Sequence, residues 1–289
     1  MKEYLQTDLA CESYTMDDEK DSKNGIISHF YKDIFSYDII KTEITNKTGE
    51  KITKKSIGKY YTLYVKDAWK YTIDEKENIS CAIAFCINEI LNDFGITSAS
   101  YLAVGLGNRN ISSDALGPLS IDEMIATHHL KDNKKIYNKF GYDLSLLAPP
   151  VLGQSGIDSV DIIKYAVDVT KASCLIVIDS LSTKSLDRLC TTLQITNTGI
   201  KPASAIKEGR KEISYKSIGI PVISIGVPCA INLESLVYSF LEGNATSRKL
   251  TKKSNNNDAL FLTRNEIENI VPAFAKIISN AITKAIKNN

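Results

Sequence analysis

Two periodicities divide this chain. Residues 42–66 alternate charged or polar positions with Ile, Tyr and Val, as in Lys59-Tyr60-Tyr61-Thr62-Leu63-Tyr64-Val65. A period of two is the mark of a half-buried strand. With Lys47-Thr48-Gly49-Glu50 interrupting it, the stretch predicts a β-hairpin or meander. Residues 77–94 instead place Ile79, Ile83, Ile87, Ile90 and Leu91 three or four apart, the stripe of an amphipathic helix. Beyond residue 100 strand-like and helix-like segments follow one another. Residues 100–106 predict a strand, and 114–130 a helix capped by Ser112, Ser113 or Asp114. A short apolar run at 145–152 is broken by Pro149 and Pro150. Residues 158–171 predict a helix and 173–179 a buried strand. The alternation at 191–196 suits an edge strand. Residues 220–227 predict another buried strand, followed by a helix from about Asn232. A closing helix over 264–287 carries Ile267, Ile270, Val271, Phe274, Ile277, Ile278 and Ile282 on one face. This order implies an α/β fold built on a mostly parallel, helix-flanked sheet, with the 42–66 meander as an extension. The first forty residues read as peripheral, and the polar stretch 244–258 as a mobile surface insertion.

Composition narrows the class. A chain of 289 residues can bury one sizeable core, and 43% hydrophobic with 24% charged residues is ordinary for a globular protein. The formal net charge of +1 gives bulk electrostatics no reason to favour nucleic acid or a membrane surface. The six cysteines lack the short paired spacing of metal sites and read as free thiols. The polar, acidic start of the chain carries no signal-peptide pattern, and no apolar run approaches the roughly 20 residues of a membrane span, so a cytoplasmic protein is expected.

Candidate chemistry centres on Asp114 and Asp179, each placed where an apolar strand-like run gives way to a turn of small residues. In an open α/β sheet the carboxyl ends of parallel strands line the ligand crevice. Two carboxylates delivered there from different strands can share a proton and act as an acid/base pair, which points to a peptide or ester hydrolase. A helix N-cap for Asp114 and a strand-end turn for Asp179 are the plain structural readings of the same residues. Gly105-Leu106-Gly107 follows a strand, yet Asn110 stands where a dinucleotide fingerprint needs its third glycine. The glycines therefore read as places where backbone comes close to something else. Gly153-Gln154-Ser155-Gly156 only loosely resembles a nucleophile elbow, and of His29, His128 and His129 the last two could serve a Ser-His-Asp triad or pack structurally. No metal-binding spacing is present, and no cofactor is expected.

Several blocks in order resemble the germination protease family of spore-forming bacteria: Val104-Gly105-Leu106-Gly107-Asn108, Asp114-Ala115-Leu116-Gly117-Pro118, Gly153-Gln154-Ser155-Gly156-Ile157, Asn197-Thr198-Gly199-Ile200 and the run at 219–228. The resemblance implies an endopeptidase that cleaves small acid-soluble spore proteins, made as a zymogen that removes its own propeptide. It implies a fold similar to hydrogenase-maturation proteases, a homotetramer and a place in the spore core. It puts the two catalytic aspartates on Asp114 and Asp179, and substrate or loop positions on Gly105, Gly107, Asn108 and Gly199. Thr7-Asp8-Leu9-Ala10-Cys11-Glu12 has the shape of the family's cut site, which implies cleavage of the Asp8–Leu9 bond, a propeptide over 1–8 and a protease domain over 9–289. Ser180-Leu181-Ser182-Thr183 stands in place of a more Ala-rich turn, and the 201–210 loop lacks expected glycines. An ionised Asp8 approaching two further acids would resist docking, so mild acid is expected to favour self-cleavage. The rival readings are a metal-dependent hydrolase using Asp114, Asp179 and His129, and a relative that binds spore proteins without cutting them.

Overall fold

The computed structural model describes residues 7–12, 24–97, 99–201, 211–241 and 260–287. The expectations placed on the body of the 201–210 loop and on the 244–258 insertion fall outside these residues. Among the described residues, nine strands form a single sheet: β1 (Ile26–Ile34), β2 (Tyr37–Ile44), β3 (Gly58–Tyr64), β4 (Ser100–Gly105), β5 (Asp143–Leu147), β6 (Cys174–Thr183), β7 (Thr192–Thr196), β8 (Val222–Asn232) and β9 (Phe261–Leu262). Their spatial order is β1-β2-β3-β7-β8-β6-β4-β5, with β9 paired to β8. Strands β8, β6, β4 and β5 run parallel, and β1, β2, β3 and β7 form an antiparallel wing.

The wing begins earlier than the 42–66 alternation marks it. Residues 26–40, read as peripheral, supply all of β1 and the first part of β2. Helix α1 (Lys47–Thr53) sits between β2 and β3, opened by the Asn46 carboxamide accepting from the N–H groups of Thr48 and Gly49. The meander is continuous with the main sheet through β3 and β7. Strand β7 therefore lies inside the sheet, not at its edge. Its outer neighbours are distant in sequence, and pattern alone does not reveal them.

On one face lie α2 (Ile73–Asp93) and α9 (Ile267–Lys287). Thr72 and Glu75 form a reciprocal capping box at the start of α2. The Ile79, Ile83, Ile87 and Ile90 stripe packs with Phe274, Ile278 and Ile282 of α9 onto Ile176, Ile178, Leu193, Ile195 and Ile225 of the sheet. Each such side chain contributes about 1.5–3 kcal/mol by leaving water. Polar pins cross the layer: Ser80 Oγ donates to the Ile277 carbonyl (3.1 Å), and Ser279 Oγ to that of Ser120 (2.7 Å). The opposite face over β4 and β6 is covered by α6 (Ser159–Thr170), whose Val160, Ile163 and Val167 meet Leu102, Val104, Leu175 and Val177. The shorter helices are α3 (Leu116–Asp122), α4 (Lys134–Phe140), α5 (Leu152–Ser155), α7 (Tyr215–Ile218) and α8 (Leu233–Leu241).

The helix expected over 114–130 is the seven-residue α3, and residues 128–130 form a separate 3-10 turn. Tertiary bonds end it. Thr127 donates its N–H to the Leu144 carbonyl (2.9 Å), while its hydroxyl donates to the Tyr142 carbonyl (2.7 Å) and accepts from the Leu144 N–H (3.0 Å). His128 Nδ1 lies 2.9 Å from Asp143, the first residue of β5, and Lys131 is 2.6 Å from the same carboxylate. Burial pushes the Asp143 carboxyl up, but donors led by Lys131 outweigh it and hold the pKa below the ordinary 3.8. A depressed carboxyl stabilises the fold above its unfolded pKa and loses that contribution as pH falls through the folded value. Asp143→Asn is expected to cost about 1–2 kcal/mol at neutral pH. In urea melts, its deficit against wild type should narrow below pH ~4.

Candidate active site

The parallel register places Gly105 of β4 beside Ile178 of β6, and the next residue, Leu106, donates its N–H to the Ile178 carbonyl (2.8 Å). Asp179, 5% exposed, follows Ile178 directly. Asp114 ends a 3-10 turn, Ser112–Asp114, in the loop leaving β4, and this turn packs against β6 and β8. Asp114 thus issues from the loop at the carboxyl end of β4, whereas Asp179 is the sixth of the ten residues of β6. The turn expected at Asp179 and over 180–183 is absent, because Asp179–Leu181 pair with Gly226–Pro228 of β8 and Ser182–Thr183 with Ala230–Ile231, so the strand continues to Thr183. Asp114 is not the cap of α3: that position is Ala115, without a side-chain cap, and Asp114 Oδ2 instead accepts from the Asn108 N–H (2.8 Å).

Glycine makes this approach sterically feasible. A Cβ on Gly117 would stand 2.3–2.6 Å from the Leu106 backbone and the Ile178 carbonyl oxygen. One on Gly105 would stand 2.1 Å from the Gly117 carbonyl oxygen. Gly107 has φ +117°, and its Cβ would meet the Asp114 carbonyl oxygen at 2.0 Å. These glycines let the start of α3 press into the strand ends. Asn108 ties the loop further, accepting from Gln154 Nε2 (3.2 Å) of α5, so the 104–108 and 153–156 blocks meet. Gly199, at φ +87° against the Ile213 carbonyl, serves a different junction, the Ile200–Ile213 bridge.

Asp179 also belongs to a row across the sheet. Gly226 of β8 pairs with Asp179 on one side and with Gln194 of β7 on the other. Opposed residues on paired strands share a face, so the Asp179 and Gln194 side chains flank a position with no side chain.

Residues 7–12 lie along this region. Asp8 donates its N–H to the Ser182 carbonyl (3.0 Å), three positions beyond Asp179, and its Oδ2 accepts from the Ser182 N–H (2.7 Å) and hydroxyl (2.8 Å). Gln194 Nε2 donates to the Asp8 carbonyl (3.2 Å), and its Oε1 accepts from the Ala10 N–H (2.7 Å). Leu9 between them is 0% exposed. Lys55 Nζ donates to the Thr7 carbonyl (2.7 Å); burial lowers the Lys55 pKa, against the pull of Asp8 and Glu12. Residues 7–12, in the stretch read as peripheral, are buried or half-buried, and an ionised Asp8 has two donors. That is the opposite of the unmet charge behind the acid-promoted docking expectation.

His128 and His129 sit in the turn at the amino end of β5, whereas Ser155 follows its carboxyl end. The five residues of β5 between them span about 17 Å. No triad forms there, and His129 does not converge with the aspartates as the metal-dependent reading requires. Among the described residues, no three His, Cys, Asp or Glu side chains are grouped to hold a metal ion. His29 is exposed on the outer strand β1. Cys229 lies near Asp179, and its hydrogen bond with Cys190, together with burial, holds its thiol well above the ordinary range, unsuited to a thiolate nucleophile. Among the described residues, no helix is long and apolar enough to cross a membrane.

Sequence reasoning singled out the aspartates and the Asp8–Leu9 bond but missed Gln194, Ser182 and Lys55. The one available signal for Gln194 was a large polar residue between two threonines on the non-core positions of an alternating strand. Gly117→Ala is expected to destabilise the protein by about 1–3 kcal/mol in urea melts, because only backbone atoms could yield. Gly153→Ala, with no atom within 4 Å of the new Cβ, is the matched control and should be neutral within about 1 kcal/mol.

The chain is similar to known proteins along most of its length. The profile of the germination protease family matches residues 6–242. A germination protease of Bacillus pumilus is 37% identical over 246 residues, covering 82% of this chain and 66% of that protein. One from Caldanaerobacter subterraneus subsp. tengcongensis is 34% identical, covering 82% of this chain and 72% of that protein. Among solved structures, a [NiFe] hydrogenase maturation protease, HycI, from Thermococcus kodakarensis aligns with 70% of this chain and 99% of its own at 13% identity and a TM-score of 0.38. By the extent of the profile match and the identity to its curated relatives, this chain belongs to the germination protease family.

Proposed function

We propose that this chain is an endopeptidase of spore germination in which Asp114 and Asp179 carry the hydrolysis, and that it cuts its own Asp8–Leu9 bond. The observation that carries the reading is the seating of residues 7–12: Asp8 is held on β6 three positions beyond Asp179, and the backbone around Leu9 is held by Gln194, in line with Asp179 across Gly226.

In this reading the ionised aspartate of the pair takes a proton from water as its oxygen attacks the Asp8 carbonyl carbon. The protonated aspartate hydrogen-bonds to the developing oxyanion. Collapse of the tetrahedral species breaks the C–N bond, and the Leu9 nitrogen receives that carboxyl's proton. The products are a carboxylic acid at Asp8 and an amine at Leu9. Family kinship supports small acid-soluble spore proteins as the substrates in trans, a homotetramer as the assembly and the spore core as the place of action.

Intact mass during incubation of the full chain tests the reading directly. Loss of residues 1–8 is the expected result. Asp114→Asn and Asp179→Asn should each slow it by about 10²–10⁴-fold, the range of a positioned acid or base. Unchanged processing in either variant would remove that residue from the catalytic pair.

A further inference from the structure

Residues four apart in an extended peptide are separated by about 13 Å. Asp8 and Glu12 are four apart, yet both are held by consecutive residues of one strand end. Asp8 is bound at Ser182. Glu12 Oε1 accepts from Thr183 Oγ1 (2.6 Å), and its Oε2 accepts from the Lys184 N–H (3.1 Å), with Arg188 Nε 3.9 Å away. The segment closes the gap by folding back. Residues Ala10–Glu12 form a 3-10 turn, the Glu12 N–H donates to the Leu9 carbonyl (3.4 Å), and the Thr7 hydroxyl donates to Glu12 Oε2.

We infer that Ser182, Thr183, Lys184, Arg188, Gln194 and Lys55 form a peptide-binding site that selects a turn. The acid–apolar–acid order of its ligand is that of the family's cut site; what the site adds is the required shape, the second acid brought back beside the first by one tight turn. The inference rests on the reading that residues 7–12 are bound as a substrate is bound. Three features make this a selective site. The first acid receives a backbone and a hydroxyl donor, and charge-assisted bonds of this kind are the strong ones. The second acid receives a hydroxyl, a backbone N–H and a guanidinium, and the Glu12 side chain is only 4% exposed, so an uncharged replacement leaves buried donors poorly used. Gln194 uses both ends of its carboxamide on the main chain either side of Leu9, which sets the register without reading a side chain. An extended peptide could satisfy one acid subsite but not both.

Self-cleavage in the full chain, followed by intact mass, is paired with amide hydrogen exchange of residues 8–12, which reads seating independently of cutting. Glu12→Gln should lower both protection and the cleavage rate by about tenfold, the scale of one hydrogen bond to a charged group. Inserting one alanine between Ala10 and Cys11 should abolish both. In a Thr183→Val background the further effect of Glu12→Gln should shrink to about twofold, as coupled partners require. In trans, a Thr-Asp-Leu-Ala-Cys-Glu peptide should slow processing of the full chain, and the same peptide with the inserted alanine should not. An insertion variant that is protected and cut like wild type would overturn the turn-selecting site, as would a full Glu12→Gln loss in the Thr183→Val background. Protection that follows these expectations without any cleavage would sink the self-processing reading and leave the site standing.

Discussion

A close approach of backbone to backbone sets the geometry of the candidate site. The start of α3 reaches the ends of β4 and β6 only because Gly105 and Gly117 carry no Cβ. That contact brings the 112–114 turn, in the loop after β4, against β6, the strand that carries Asp179. Gly107 extends the same logic, its positive φ leaving room for the Asp114 carbonyl. Glycines that resemble a nucleotide loop are here a packing device. The hydrogen bond from the Asn108 N–H to Asp114, and that from Gln154 to Asn108, then fix the loop.

The second constraint is the unusual outer face of β7. Leu193 and Ile195 point into the helical core, while Thr192, Gln194 and Thr196 point away from it and are nonetheless buried. Buried polar side chains need partners. For Gln194 those partners are main-chain groups of Asp8 and Ala10, so the sheet face is completed by a segment from the start of the chain. In the proposed reading this face, covered by peptide backbone, is where a substrate is recognised. It also ties seating of the tail to the row that contains Asp179.

The long amphipathic elements were legible because they bury a stripe against a large core. The α2 stripe and the α9 face have the sequence periodicity that packing demands, and the observed helices extend the expected bounds by a few residues or shorten them by about three. Where tertiary hydrogen bonds compete with local propensity, legibility fell. Thr127 binds the chain of β5 and ends a helix that pattern alone would have carried to residue 130. The polar alternation of β7 read as an exposed edge because sequence shows a residue's polarity and not what covers it.

By itself the sequence determined an α/β chain of the germination protease family, two candidate aspartates beside apolar strands and a tail with the shape of a cut site. Each of these depends on residue type at short range or in contiguous blocks. Only the tertiary structure decided that Gln194, Gly226 and Asp179 form one row, that His128 pairs with Asp143 far from that row, and that Asp8 and Glu12 meet neighbouring residues of β6. Those relations join segments up to 174 residues apart. They follow from strand register and close packing, which no local pattern encodes.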